Sequence, residues 1–254
     1  MRYKITVEYD GTTLLGWQWQ PDGNSAQGFL ETAVKRAFGR FVASDIDDGA
    51  LVWGAGRTDA GVHALAQVAH FDLDVDIEDW KLREALNANL RDLEAPVSVI
   101  AVEKVGDDFH ARFSAKGRGY LYRILSRRAP SVLLKNRVWW MPVPLDVEKM
   151  REASKCLLGK HDFTSFRAAA CQAKSPIKTL DKLDIIQNGE EICFEVEAKS
   201  FLHHQVRNFV GTLKMVGDGQ FQIQDVEKIL EAKDRKQAGV TAPACGLYLS
   251  KVWY

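Results

Sequence analysis

An arginine, a threonine, an aspartate and a histidine stand together in Gly54-Ala55-Gly56-Arg57-Thr58-Asp59-Ala60-Gly61-Val62-His63-Ala64, a stretch otherwise made of small residues. A carboxylate held near guanidinium groups stays ionised at neutral pH. An ionised carboxylate can act as a nucleophile that forms a covalent intermediate. Asp59, two residues after Arg57, is where that chemistry points. The three glycines let the backbone turn tightly or approach another chain closely. Two other readings stay open. Asp59 can be a turn or helix cap. Asp59 and His63, four apart, would share a face of a helix and suggest a metal pair. The glycines argue against a helix there, and no third ligand of suitable spacing follows, so His63 reads as structural or bonded to the loop.

Other residues carry chemistry further on. Arg118-Gly119-Tyr120-Leu121-Tyr122 alternates Arg118, Tyr120 and Tyr122 along one strand face, a platform for a base and its phosphate or, equally, two core tyrosines with satisfied hydroxyls. Phe201-Leu202-His203-His204-Gln205-Val206-Arg207-Asn208 opens an otherwise apolar helix. Arg207 lies next to the buried stripe, where a charge needs a partner such as an ionised carboxylate. His203 and His204 could be ligands, but adjacent residues on a helix point in different directions, so they read as polar N-terminal positions. Trp17 and Trp19 sit in Gly16-Trp17-Gln18-Trp19-Gln20-Pro21 and either stack on bases or fill a core edge.

The elements that position these groups follow from periodicity. Tyr3, Ile5, Val7 and Tyr9 alternate with polar residues and predict a half-buried strand. Ser25 caps a helix with Leu30, Ala33, Val34, Ala37 and Phe38 on its apolar face. Strands at Leu51–Trp53 and Leu65–Leu73 flank the glycine-rich loop, Asp79 caps a second helix carrying Leu82, Ala85, Leu86 and Leu90, and Val97–Val105 is a strand. The order strand, helix, strand, strand, helix, strand then repeats. Its members are Gly119–Leu125, a helix over Asp146–Leu158, the strands Leu180–Gln187 and Glu191–Lys199 joined at Asn188-Gly189, a helix over Leu202–Val216 and a closing strand at Leu247–Tyr254. A short helix over Asp225–Ala232 is extra. The expected fold class is α+β: two ferredoxin-like βαββαβ units side by side, an extended mixed or antiparallel sheet with helices on one face and an RNA-binding cleft on the other. The expected division is 1–108, carrying the loop 54–64, and 109–254, which completes the cleft.

The 254 residues balance 34 Lys and Arg against 34 Asp and Glu, so net charge by itself argues mildly against nucleic acid. The distribution differs: eight basic residues and no acidic one lie between Arg112 and Arg137, an electrostatic footprint for phosphate or a solvated strand face. Acid collects at Asp45, Asp47 and Asp48 and from Asp72 to Asp79. No apolar run reaches the ~18 residues of a membrane span, the N-terminus lacks a signal peptide's apolar region, and a cytoplasmic location is expected. The four cysteines are far apart and read as reduced thiols rather than a zinc site.

Gly56-Arg57-Thr58-Asp59-Ala60-Gly61-Val62-His63-Ala64 resembles the catalytic motif of the TruA-type tRNA pseudouridine synthases. Tyr9-Asp10-Gly11, Gly16-Trp17-Gln18, the segment Phe109 to Ala115, Arg118 to Tyr122, Leu157-Leu158-Gly159, Asp162 to Arg167, Phe201 to Asn208 and Gly246-Leu247-Tyr248-Leu249 also resemble that family, in its order. The resemblance implies isomerisation of uridine to pseudouridine at positions 38, 39 and 40 in the anticodon stem-loop of tRNA, without cofactor or metal, by a homodimer. It implies Asp59 as nucleophile and Arg57 in the flipped base's place. It further implies Tyr120 stacked on the uracil and assisting proton transfer at C5, Arg207 paired with Asp59, Leu247 as an apolar wall of the pocket, and Arg167 as a tRNA contact. Attack at the sugar C1′ and at uracil C6 both remain open. The acidic loop Asp45-Ile46-Asp47-Asp48-Gly49 departs from what an RNA site leads one to expect. Two competing functions are a non-catalytic RNA binder on the same fold and a metal-assisted hydrolase using Asp59 and His63.

Overall fold

The computed structural model describes residues 1–21, 24–42 and 51–254, which form two compact units, Met1–Lys116 with Leu249–Tyr254, and Gly117–Tyr248. The acidic loop at Asp45–Gly49 lies outside the described residues.

In the first unit the strand β1 (Arg2–Tyr9) pairs antiparallel with β3 (His63–Asp72) on one side and β4 (Val97–Val105) on the other, and the two-residue β2 (Trp53–Gly54) pairs with β3. The strand order is therefore β4-β1-β3, with β2 paired to β3 off that path. Tyr3, Ile5 and Val7 are fully buried on one face of β1, as the period-two pattern requires. Two helices pack on each other and supply that core, α1 (Ala26–Phe38) with Leu30, Ala33 and Val34 and α2 (Asp79–Asp92) with Leu82, Leu86 and Leu90. Ser25 accepts from Gly28 N at 3.1 Å and starts α1 as predicted. The N-cap of α2 is Glu78; Asp79 is already helical and sits in the first turn, where its charge favours the helix dipole.

The first unit continues past 108 because the following residues pack on its sheet. Phe109 and Ala111 join a small cluster with Ala55, Val68, Val252 and Tyr254. Arg2 donates to the Phe109 carbonyl at 2.8 Å, Ala111 N donates to His70 Nδ1 at 3.2 Å, and Tyr254 OH donates to the Ala111 carbonyl at 2.8 Å. Burial pushes the His70 imidazole down to about 4, which keeps it a neutral acceptor.

In the second unit β5 (Gly117–Ser126) pairs antiparallel with β9 (Glu191–Ala198), which pairs with β8 (Ile177–Asn188), which pairs with β7 (Gly159–Asp162). The short β6 (Trp139–Met141) runs parallel to β5 and makes the strand set mixed. Neither β6 nor β7 is legible in the sequence, since each is too short to show alternation. Three helices complete the unit: α3 (Val147–Ser154), α4 (Gln205–Gly217) and α5 (Asp225–Ala232). Phe163, Phe166 and Phe209 meet edge to face beneath α4, all fully buried. The β8–β9 hairpin turns at Gly189-Glu190, one residue later than Asn188-Gly189, because Asn188 still pairs with Glu191 and Gly189 supplies the positive φ of 60°. The final strand β10 (Leu247–Trp253) begins with residues of the second unit and from Leu249 counts with the first. Among the described residues no helix is long and apolar enough to cross a membrane.

Candidate active site

The loop between β2 and β3 carries Arg57 and Asp59. Its rising limb runs along β3: Ala55 N donates to the Val68 carbonyl at 2.7 Å, and Gln67 Nε2, wholly buried, donates to the Gly56 carbonyl at 2.8 Å. Arg57 then stands exposed. Thr58 turns inward, its hydroxyl 2.8 Å from the Tyr9 hydroxyl and its carbonyl accepting from Trp17 N at 3.1 Å. Asp59, half-buried, follows at once, and its carbonyl accepts from Val62 N at 3.1 Å to close a turn in which Gly61 has φ 78°.

The segment Gly11 to Trp17 braces that turn. Leu14 O accepts from Gly61 N at 3.3 Å, and Gly11 N donates to His63 Nδ1 at 3.0 Å. A Cβ on Gly11 would lie 2.1 Å from the Val62 carbonyl, and one on Gly16 would lie 2.4 Å from the Thr58 carbonyl. Gly54 has no room either, since a Cβ there would meet the Trp17 indole at 2.5 Å. Trp17 is thus a core residue against the loop, whereas Trp19 is exposed. His63 is buried at the start of β3 and bonded to the loop's brace, which leaves Asp59 and His63 in a turn and a strand rather than on one helix.

Residues that the sequence did not single out hold the entry to the loop. On α1, Glu31 is buried and its Oε1 accepts from Leu51 N at 3.1 Å, Val52 N at 3.3 Å and Gln27 Nε2 at 3.0 Å. Gln27 Oε1 in turn accepts from Trp19 N at 2.9 Å. The available signal was two polar residues four apart, Gln27 and Glu31, on the face that buries Leu30 and Val34.

In the second unit Tyr120 stands half-buried on β5, edge-on to Phe201 with ring centroids 5.1 Å apart. Tyr122 differs: it is fully buried and donates to the Pro243 carbonyl at 2.8 Å, and burial raises its phenol well above the ordinary value. Of the two tyrosines one is therefore core. Arg118 donates to the Lys199 carbonyl at 2.9 Å. Arg207 lies in the first turn of α4, its Nε donating to the Ala242 carbonyl at 2.7 Å, while Ala242 N donates back to the Arg207 carbonyl at 3.1 Å. Leu247 is buried at the start of β10. The Arg167 guanidinium donates to the carbonyls of Cys171 at 2.6 Å and Ala173 at 3.1 Å, so part of it holds its own loop.

His203 and His204 precede α4 rather than forming its first turn. His204 has φ 62°, and the two rings lie with centroids 4.0 Å apart instead of diverging as they would on a helix. The basic run is also changed by folding. Arg123 pairs with Glu191, with Nη2 to Oε2 at 3.1 Å, and Arg127 pairs with Glu190 at 3.1 Å, because the adjoining strand and turn supply the carboxylates that the run itself lacks.

Comparison with known proteins decides the family. A family model described as tRNA pseudouridine synthase matches residues 5–114 and 153–254. The chain belongs to the tRNA pseudouridine synthase family. It is 55% identical to tRNA pseudouridine synthase A of Paramagnetospirillum magneticum over 253 residues, covering 100% of this chain and 95% of that one. It is 52% identical to tRNA pseudouridine synthase A of Bartonella tribocorum, covering 100% and 99%. A chain of a Cbf5-Nop10-Gar1 complex matches 84% of this chain and 44% of its own at 12% identity and TM-score 0.33, a likeness too slight to carry the fold. The synthase is thus an isomerase acting on tRNA, converting uridine to pseudouridine.

Proposed function

We propose that this synthase modifies uridines 38, 39 and 40 in the anticodon stem-loop of tRNA, with Asp59 as the nucleophile on a flipped-out base. The observation that supports Asp59 most is its setting. It is the carboxylate of a loop fixed on both sides, at Thr58 by Tyr9 and Trp17 and at Gly61 by Leu14. A nucleophile on a preset backbone needs little reorganisation to reach its target. The exposed Arg57 beside it suits the place the base leaves, since extrusion costs a few kcal/mol that contacts in the gap must offset.

The chemistry balances without an outside reactant. A carboxylate oxygen of Asp59 bonds to C1′ or to uracil C6, and the C1′–N1 bond breaks. The ring turns, C1′ bonds to C5, the C5 proton leaves, N1 gains a proton and Asp59 is released. In this reading Tyr120 stacks on the uracil and assists the C5 proton transfer, Leu247 walls the freed ring, Arg207 is the cation assigned to Asp59, and Arg167 contacts tRNA. The reading includes a homodimer in the cytoplasm and two ferredoxin-like units. For the first unit, the order β4-β1-β3, the pairing of β2 with β3 and the packing of α1 on α2 support the ferredoxin-like assignment.

Tritium release from tRNA labelled at uridine C5 tests the chemistry. Asp59→Asn should abolish release while tRNA still binds; normal turnover would remove Asp59 as nucleophile. Mapping pseudouridine in tRNA from cells lacking the enzyme should show loss at the three positions, and their retention would overturn the site assignment. Arg57→Ala should slow turnover far more than it weakens binding. The reverse result would make Arg57 an ordinary phosphate contact.

A further inference from the structure

Around Asn208 the second unit holds a polar network that serves no reacting atom. Asn208 is wholly buried. Its Nδ2 donates to the Phe166 carbonyl at 2.8 Å, and its Oδ1 accepts from Arg235 Nη2 at 3.1 Å and Thr241 Oγ1 at 2.8 Å. Arg235 also donates to the Gly239 carbonyl at 2.9 Å and to Thr241 Oγ1 at 2.9 Å. These acceptors are all neutral, so Arg235 is placed by geometry rather than by a carboxylate; a fork of fixed donors suits that use where an ammonium does not.

We propose that Arg235, Asn208 and Thr241 are positioning residues for Arg207. The link is short. Thr241 precedes Ala242, whose carbonyl receives Arg207 Nε and whose N–H bonds the Arg207 carbonyl. The backbone there lies directly on α4: a Cβ on Gly211 would fall 1.7 Å from the Val240 carbonyl, and one on Gly239 would fall 2.7 Å from Thr212 Cα. Gly239 N donates to Thr212 Oγ1 at 3.0 Å, which closes the near end of the segment. The network therefore fixes an acceptor of the Arg207 side chain, the Ala242 carbonyl. The proposal rests on Arg207 acting in the reaction, as read above.

Thr241→Val tests it with little change of volume. With tritium-labelled tRNA, kcat should fall on the order of tenfold, the scale expected when a reacting group is misplaced by a fraction of an ångström, with KM nearly unchanged. Thr241→Ser, which keeps the hydroxyl, should restore the rate, and Arg235→Lys, which keeps the charge and loses the fork, should not match the parent. In an Arg207→Ala background, Thr241→Val should cost nothing further. Equal losses in both backgrounds, or a parent-like rate for Thr241→Val, would overturn the positioning role alone. A parent-like rate for Arg207→Ala would overturn the reading of Arg207 and this proposal with it. Arg235→Gln, measured together with its urea midpoint, keeps the test valid if Thr241→Val folds poorly: full activity in a folded Arg235→Gln overturns the proposal.

Discussion

The loop at 54–62 and the segment at 239–247 are each held by backbone pressed on backbone at a glycine, Gly11 against Val62 in one and Gly211 against Val240 in the other. They differ in how the polar groups are satisfied. Around the loop, main-chain pairs are joined by separate side-chain bonds: Gln67 to the Gly56 carbonyl, Gly11 N to His63, and the neutral hydroxyl pair Tyr9 and Thr58. Around the segment, a buried amide and a guanidinium do the work. The loop is fixed by separate pairs along its length; the segment is fixed by one connected network centred on Asn208.

That contrast can be broken or sharpened by substitution. The largest effect should come from Gly11→Ala and Gly211→Ala, each of which forces a methyl into a carbonyl. Overpacking against backbone costs about 3 kcal/mol or more, so both proteins should lose most of their urea midpoint. A mild loss at either site would mean that the two strands of backbone can part there. Next, Asn208→Ala leaves a carbonyl, a hydroxyl and a guanidinium short of partners and should cost about 2–4 kcal/mol, against about 1 kcal/mol for Tyr9→Phe. Equal losses by urea unfolding would erase the distinction between the regions.

A pH titration separates the units further. His70 in the first unit has its folded value lowered to about 4, below the ordinary 6.5 of the unfolded chain. Between these values the unfolded state binds the extra proton, so stability is full above 6.5 and falls as pH drops toward 4. His70→Gln should flatten that slope in the unfolding midpoint, and an unchanged slope would place the sensitivity elsewhere. The smallest effect is expected of Arg127→Ala, which removes a surface pair with Glu190 and should change stability by about 0–1 kcal/mol.

How much was legible depended on how far each signal reaches along the chain. Long periodic elements such as β1, α1 and β9 were read correctly because alternation and the 3.6-residue stripe are local properties. The cap of α2, the hairpin turn and the start of α4 each shifted by one to three residues, since His204, Gly189 and Glu78 act through backbone angles that residue type only biases. The run from Arg112 to Arg137 looked uniformly basic only because Glu190 and Glu191 are remote in sequence and adjacent in the sheet. Gln27, Glu31 and Arg235 passed unnoticed, and Asn208 stood out only as the end of its motif, for the same reason: a polar residue's value as a buried partner depends on donors supplied by distant segments.

The sequence by itself determined the order of the principal elements, the loop carrying Arg57 and Asp59, and a resemblance to the family that the comparisons then established. These rest on residue type and spacing, which the chain carries whether folded or not. Only the tertiary structure decided that Thr58 is tied to Tyr9, that Tyr122 is core while Tyr120 is half-exposed, that Arg207 Nε bonds the Ala242 carbonyl, and that Leu249–Tyr254 return to the first unit. Hydrogen bonds and burial join residues far apart in sequence, and no local pattern records which distant group will arrive to satisfy them.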